Sequence, residues 1–206
     1  MMYCYNYIYI MKEVKTMLEE IEKYAYEERV PIMMRDGIEY LCNFIKENNI
    51  KRILEIGSAI GYSSIKMALV DDDIKITTIE KDIKRYDVAV DNIKKFNLTE
   101  RINIILGDAL DTEINGEYDL IFIDASKGNN INFFNKYKKN LKSYGIIVTD
   151  NLLFHGLVRD ESLVKTKNQR GIVRKIKQFI EFLDNNLEFE TEYLDVGDGI
   201  AISRRK

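Results

Sequence analysis

The chain of 206 residues carries 31 lysines and arginines against 34 aspartates and glutamates, a formal net charge of -3. That length suits one domain with a sizeable core, and 46% hydrophobic with 32% charged residues excludes a disordered or fibrous chain. No apolar run approaches the ~20 residues that span a bilayer. The charge excludes an all-over polycation, and two cysteines, Cys4 and Cys42, cannot build a disulfide framework or a four-sulfur metal site.

The thiols read as reduced, in a cytoplasmic protein. The opening MMYCYNYIYI lacks the basic segment and small-residue cleavage site of a secretory signal. It reads as the first turns of a helix, or as residues ahead of a start at Met11. Residues 11–28 place Val14, Met17, Leu18, Ile21 and Ala25 at helical spacing. Pro31 breaks that pattern and opens a second expected helix over 32–48, with Leu41, Phe44 and Ile45 on its apolar side. Residues 1–48 thus form a helical N-terminal extension to a core of 51–206.

From Lys51 strands and helices alternate. KRILEI is a buried strand, followed by a glycine turn and a helix from Tyr62 to about Val70. IKITTI is the second strand, ending at Glu80, and Asp82 caps a helix running to Phe96. INIIL and YDLIFID are the third and fourth strands, then a helix over 130–142, the strand GIIVTD, and a helix over 171–184. LEFETEYL and GIAIS close the chain as a hairpin across DVGDG, a turn that suits antiparallel pairing. The alternation predicts right-handed βαβ units and a mostly parallel sheet covered on both faces, a single α/β domain over 1–206.

Glu55-Ile56-Gly57-Ser58-Ala59-Ile60-Gly61 lies where the first strand meets a helix. Glycines there let backbone approach a ligand, and the helix start offers free N–H groups. The dinucleotide fingerprint is missing, since its second glycine falls on Ala59, and so is a phosphate loop. Glu80 ends the second strand about 20 residues on, where a carboxylate in this topology accepts ribose hydroxyls. Asp108 and Ala109, in GDA after the third strand, are placed to frame an adenine. Helix capping alone is the competing account. Three successive acidic strand ends favour a nucleoside without a pyrophosphate, which S-adenosylmethionine satisfies.

Asp124 ends the fourth strand, and Asp150-Asn151 end the fifth. Two carboxylates and an amide oxygen at adjacent strand ends form a hard site suited to Mg²⁺ or Ca²⁺ rather than zinc. Turn and cap preferences explain each of the three singly, but less well as a set. Lys127 follows by three residues; beside a metal and a cationic cofactor it is pushed towards the neutral form of a base. A solvated lysine at a helix start is the equal alternative.

EIGSAIGYSS, IEKD, GDA, FIDASK and VTDNLLFHGLV, in that order, resemble the cation-dependent, S-adenosylmethionine-dependent O-methyltransferases of the caffeoyl-CoA and catechol type. The resemblance runs from about Arg52 to GDGIAIS. It implies a Rossmann-like class I methyltransferase fold, a seven-stranded sheet with one antiparallel strand, and a homodimer. It implies that Glu55, Gly57, Ser63, Glu80, Asp108, Ala109 and Asp124 surround the cofactor. By the same carry-over Asp124, Asp150 and Asn151 hold the metal, and Lys127, beside Asp124, is the catalytic base.

Relatives from plants commonly carry Trp in the segment matched by Leu153-Phe154-His155; this chain has Phe154 and no tryptophan, which argues against a phenylpropanoid-sized pocket. His155, the single histidine, reads as incidental. Between Arg159 and Lys177, seven basic residues stand against Asp160 and Glu161. A solvated helix face is the ordinary reason for such a run, yet beside an active site it suits a phosphate backbone. Lys165, Lys167, Arg170 and Arg174, with Arg29 and Arg35 on the opposite rim, are the expected RNA contacts. EKYAYEERVPIM, DNLLFHGLV and VGDGIAIS also resemble the bacterial branch that methylates 5-hydroxyuridine at the tRNA wobble position, whose 5-hydroxyl and 4-carbonyl make a chelating pair. The anticodon loop of tRNA is therefore the expected partner. A small-molecule catechol or hydroxycinnamoyl O-methyltransferase is the runner-up, and a non-catalytic nucleic-acid-binding protein the reading from another class.

Overall fold

A computed structural model describes the backbone of residues 2–125 and 127–206, and side chains from residue 12 except that of residue 126. The strands are β1 (Arg52–Ile56), β2 (Lys75–Glu80), β3 (Ile102–Leu106), β4 (Tyr118–Ile123), β5 (Leu141–Thr149), β6 (Phe189–Leu194) and β7 (Ile200–Arg205). They form one sheet in the order β3-β2-β1-β4-β5-β7-β6. β1 to β5 pair in parallel, and β7 runs antiparallel to both β5 and β6. The expected seven-stranded sheet with one antiparallel strand is therefore present, and the closing hairpin inserts its second strand between β5 and the first.

The helices are α1 (Met2–Glu27), α2 (Arg35–Glu47), α3 (Tyr62–Ala68), α4 (Ile83–Lys95), α5 (Asn130–Tyr137) and α6 (Lys167–Asp184). All six residues of β4 are buried, as a strand covered on both faces requires. Its side chains alternate between two cores. Leu120 and Phe122 pack with Ile21, Ile38, Ile45 and Ile65 on the side of α1 to α4. Ile121 and Ile123 pack with Phe134, Ile176 and Phe179 on the side of α5 and α6. Each fully buried side chain of this size stabilises the fold by roughly 1.5–3 kcal/mol.

Several boundaries differ from the sequence expectation; the helix expected over 130–142, for one, ends at Tyr137. α2 begins at Arg35 rather than at residue 32, because Pro31 biases Val30 away from helix and Met34, the residue preceding the helix, is extended at φ -62, ψ 148. Residues 30–34 instead form a strap that buries Met33. β5 starts at Leu141, not Gly145, with a register shift against β4 between Tyr118 and Leu120. α6 starts at Lys167, fixed by a capping box in which Thr166 and Gln169 satisfy each other's backbone. Asp82 caps α4 as expected, accepting from the backbone N–H groups of Lys84 and Arg85.

Cys42 is free and half-buried; the Cys4 side chain, like Met1, lies outside the described residues. Among the described residues no helix is long and apolar enough to cross a membrane.

Candidate active site

The chain leaves β1 and β4 towards opposite edges of the sheet, so a crevice opens beyond their carboxyl ends. A cavity of about 470 Å³ occupies it. Gly57 is the pivot of its floor: φ is +94, and a Cβ there would stand 2.6 Å from the Asp124 carbonyl oxygen. Only glycine lets the ends of β1 and β4 approach this closely.

Ser58, Ala59, Ser63, Glu80, Asp108 and Ala109 line this side of the cavity with Gly57. Glu80 also organises the turn. Its carboxylate accepts from the N–H groups of Ala59 (2.8 Å), Lys81 (3.0 Å) and Asp82 (2.8 Å). Three of about four acceptor positions are thus filled, leaving one for a ligand hydroxyl. Asp108 closes a local turn by accepting from the Leu110 N–H at 2.9 Å.

Glu55 is placed differently from the cofactor contact that the resemblance implies. It is fully buried, outside the cavity lining, and accepts from Ser63 (2.5 Å), Ser64 and Thr78 (2.6 Å). Burial pushes its pKa up while the three hydroxyls pull it down. Glu55 thereby clamps α3 to β1 and β2 beneath the turn, and touches the cavity only through Ser63.

On the other side of Gly57 lies an acidic pocket. Asp124, Lys127 and Asn151 line the cavity. Asp150 sits directly behind, 3% exposed, with one carboxylate oxygen accepting from the Asn151 amide at 2.8 Å. Its other oxygen, Oδ1, is buried with no hydrogen-bond partner among the described residues. Burial pushes the Asp150 pKa up to about 6. Burial and then the Asp150 charge push Asp124 well above the ordinary carboxylate range. Lys127 donates to Asn151 Oδ1 at 2.7 Å and stands 5.6 Å from the Phe154 ring centroid.

Sequence reasoning missed a third carboxylate. Asp198, in the β6–β7 turn and read there only as turn chemistry, also lines the cavity and is 5% exposed. Its Oδ1 accepts from the His155 N–H at 2.5 Å, and its Oδ2 is buried without a hydrogen-bond partner among the described residues. The same turn takes backbone bonds from Leu152 and Leu153, so it seats the loop that carries Asn151. That loop is strained: Asn151, Phe154 and His155 all have positive φ, at 67, 47 and 56.

The residues fit a hard divalent cation. Asp124, Asp150 and Asn151 offer oxygen alone, and three carboxylates against one ammonium leave two formal negative charges uncompensated in a buried pocket. Among the described residues no three His, Cys, Asp or Glu side chains are grouped to hold a metal by themselves, so the amide oxygen of Asn151 is the third donor of such a site.

The outer wall is apolar, made by Pro31, Ile32, Met33 and Met34 of the strap, with Phe154 and Ile172 facing them. His155 lines the rim. Of the expected RNA contacts, Lys165, Lys167, Arg170 and Arg174 are exposed on α6 or just before it. Lys175 reaches further in, its Nζ 2.8 Å from where a Cβ on Gly128 would be. Arg35 is already engaged, its guanidinium 2.8 Å from Glu22, and Arg29 is exposed outside the cavity lining. Within the basic run, Arg159 pairs with Asp195 and Lys177 with Glu161.

Comparison with known proteins agrees with this geometry. The family model for O-methyltransferases matches residues 10–206. Caffeoyl-CoA O-methyltransferase of Populus kitakamiensis is 31% identical over 193 residues, covering 89% of this chain and 82% of the relative. A Staphylococcus aureus crystal structure, provisionally assigned as a caffeoyl-CoA O-methyltransferase, superposes with a TM-score of 0.88 at 36% identity over 98% of this chain and 99% of that one. The SAH-bound Podospora anserina methyltransferase PaMTH1 gives 0.84 at 26% identity, over 92% and 88%. The chain belongs to the O-methyltransferase family, and it is an enzyme of that family.

Proposed function

We propose that this enzyme transfers the methyl group of S-adenosylmethionine to the 5-hydroxyl of 5-hydroxyuridine at the tRNA wobble position, giving 5-methoxyuridine. Mg²⁺ or another divalent cation is held by Asp124, Asp150 and Asn151. One observation carries the reading: the wall of Gly57, Glu80 and Asp108 and the acidic pocket line one cavity, and Ile172 on its rim belongs to α6, the helix that bears exposed Lys167, Arg170 and Arg174. The SAH-bound relative supports the cofactor.

When bound, the cofactor supplies an electrophilic methyl group and the cation lowers the pKa of a chelated hydroxyl. The chain's own residues do the rest. Gly57 lets the backbone lie against the cofactor, and Glu80 keeps an acceptor for a ribose hydroxyl. Lys127, 2.7 Å from Asn151, is the residue we assign to take the hydroxyl proton. Met33, Phe154 and Ile172 exclude water, which keeps the site's charges unscreened. Lys165, Lys167, Arg170 and Arg174 meet the phosphates of the anticodon loop. The working form is a cytoplasmic homodimer.

A small catechol or hydroxycinnamoyl substrate is the second reading. The apolar strap and the ion pairs that occupy Arg35, Arg159 and Lys177 favour it. The deciding experiment is transfer of labelled methyl to tRNA bearing 5-hydroxyuridine, with Mg²⁺ and with chelator, beside catechol. Metal-dependent labelling of tRNA, strongly preferred over catechol, upholds the wobble-uridine assignment; labelling of catechol alone replaces it.

A further inference from the structure

We propose that Asp198 is an outer carboxylate of the cation site, accepting a hydrogen bond from the hydration water of the ion held by Asp124, Asp150 and Asn151. This rests on the cation reading given above and adds a residue to which the resemblance assigned no role.

The first argument is the unpartnered oxygen. Asp198 is 5% exposed, and its Oδ2 has no hydrogen-bond donor among the described residues. A buried carboxylate oxygen without a donor costs more than the ~1–3 kcal/mol of a neutral group, so the pocket is built to receive one. Asp150 Oδ1 is the second buried oxygen in the same condition. Asp198 lines the same cavity as Asp124, Lys127 and Asn151, so its free oxygen faces the space that the proposed ligands share.

The second argument is fixed orientation. Oδ1 is held by the His155 N–H at 2.5 Å. The backbone on either side is held too: Leu153 N–H donates to the Asp198 carbonyl at 2.7 Å and Leu152 N–H to that of Gly199 at 3.0 Å. Oδ2 is therefore set before any ligand arrives. Neither nearby basic side chain donates a hydrogen bond to it among the described residues. Lys127 gives its hydrogen bond to Asn151. The His155 Nδ1 lies 3.8 Å from Oδ2, beyond hydrogen-bond range, on a side chain 74% exposed. Outer carboxylates of this kind orient water and ligands around a metal without touching it.

The competing account is that Asp198 only anchors the 151–155 loop. Asp198→Asn separates the two, since its amide oxygen still accepts from His155 while the charge is gone. Mn²⁺ alone is titrated into the cofactor-free protein and followed by calorimetry and electron paramagnetic resonance. Wild type binds one ion; Asp198→Asn binds it roughly 10–100-fold more weakly with an unchanged metal-free melting temperature. Asp198→Glu, which keeps the charge, recovers part of the affinity and stands in if the Asn variant fails to fold. Equal Mn²⁺ affinity in wild type and Asp198→Asn overturns the proposal and leaves a loop anchor. A wild type that takes up no Mn²⁺, like an Asp124→Asn control, overturns the cation reading itself and this inference with it.

Discussion

The ammonium of Lys127 and the amide oxygen of Asn151 stand 2.7 Å apart, so the oxygen that a cation needs is held by a side chain of the same sign as the cation. On the cation reading proposed above, a divalent ion at Asn151 Oδ1 competes with Lys127 for that oxygen. Lys127→Met is expected to bind Mn²⁺ about tenfold more tightly than wild type by calorimetry, a shift within the usual range for groups around a metal. Its methyl transfer should fall by about 10²-fold or more if the lysine is the base. Weaker Mn²⁺ binding in this variant would show that the lysine supports the ion rather than competing with it.

Asp150 predicts the pH response of the metal-free enzyme. Its folded pKa is raised by burial to about 6, from an ordinary 3.8. For a raised carboxyl the native state binds the extra proton, so its stabilising contribution is full below pH ~4 and is lost as pH rises through about 6. The loss is of order 3 kcal/mol. Urea unfolding of the metal-free protein should therefore show Asp150→Asn gaining on wild type between pH 4.5 and 7.5. Saturating Mg²⁺ should remove the difference in slope, because wild type then keeps its ionised carboxylate paired.

Gly57→Ala forces a Cβ to 2.6 Å from the Asp124 carbonyl oxygen at a φ of +94. Overpacking and left-handed strain together should destabilise the protein by about 2–3 kcal/mol. Splaying β1 from β4 should also abolish S-adenosylmethionine binding in calorimetry. A variant of normal stability and affinity would mean that the two strand ends separate freely.

The N-terminal extension reaches the cofactor turn through one carboxylate. Glu22 accepts from the Tyr62 hydroxyl at 2.7 Å and from Arg35 at 2.8 Å, and Tyr62 lines the cavity. Tyr62→Phe should lose about 1 kcal/mol of stability, the worth of one hydrogen bond. S-adenosylmethionine affinity should fall several-fold with little change for substrate, which separate titrations would resolve.

Lys167, Arg170 and Arg174 recur at helical spacing on α6 and carry no ion pair among the described residues. Replacing all three by Ala should lower tRNA affinity and flatten its dependence on the logarithm of salt by about 2–3. Melting temperature and S-adenosylmethionine affinity should hold. An unchanged salt slope would place the RNA elsewhere, or remove it from the reaction.

The strands were legible because β1 and β4 are buried on both faces, which writes short unbroken apolar runs. Gly57, Glu80, Asp108, Asp124 and Asn151 were legible as a set because strand ends in this topology share one edge. Glu55 shows the limit of motif reading. It shares the parity of Ile53, which faces the core of α1 to α4, so its carboxylate enters that core under α3 instead of opening onto the crevice. Asp198 was hidden for a different reason. Its importance comes from the insertion of β7 beside β5, a long-range pairing that no local pattern announces. The T-x-x-Q box at the start of α6 is a local signal, and the helix expected from residue 171 begins inside the helix it caps.

The place of β7 in the sheet also orders events during synthesis. β5, with Asp150 and Asn151 at its end, is made well before β7, yet its outer edge has no partner until β7 pairs with it. β6 likewise joins the sheet only through β7. A nascent chain that has not released residues 198–205 from the ribosome holds four of its strands beside an open fifth, and lacks the turn that seats the Asn151 loop. Assembly of the acidic pocket thus waits for β7, and a chain stalled before that strand has the wall beside Gly57 but no seated Asn151 loop.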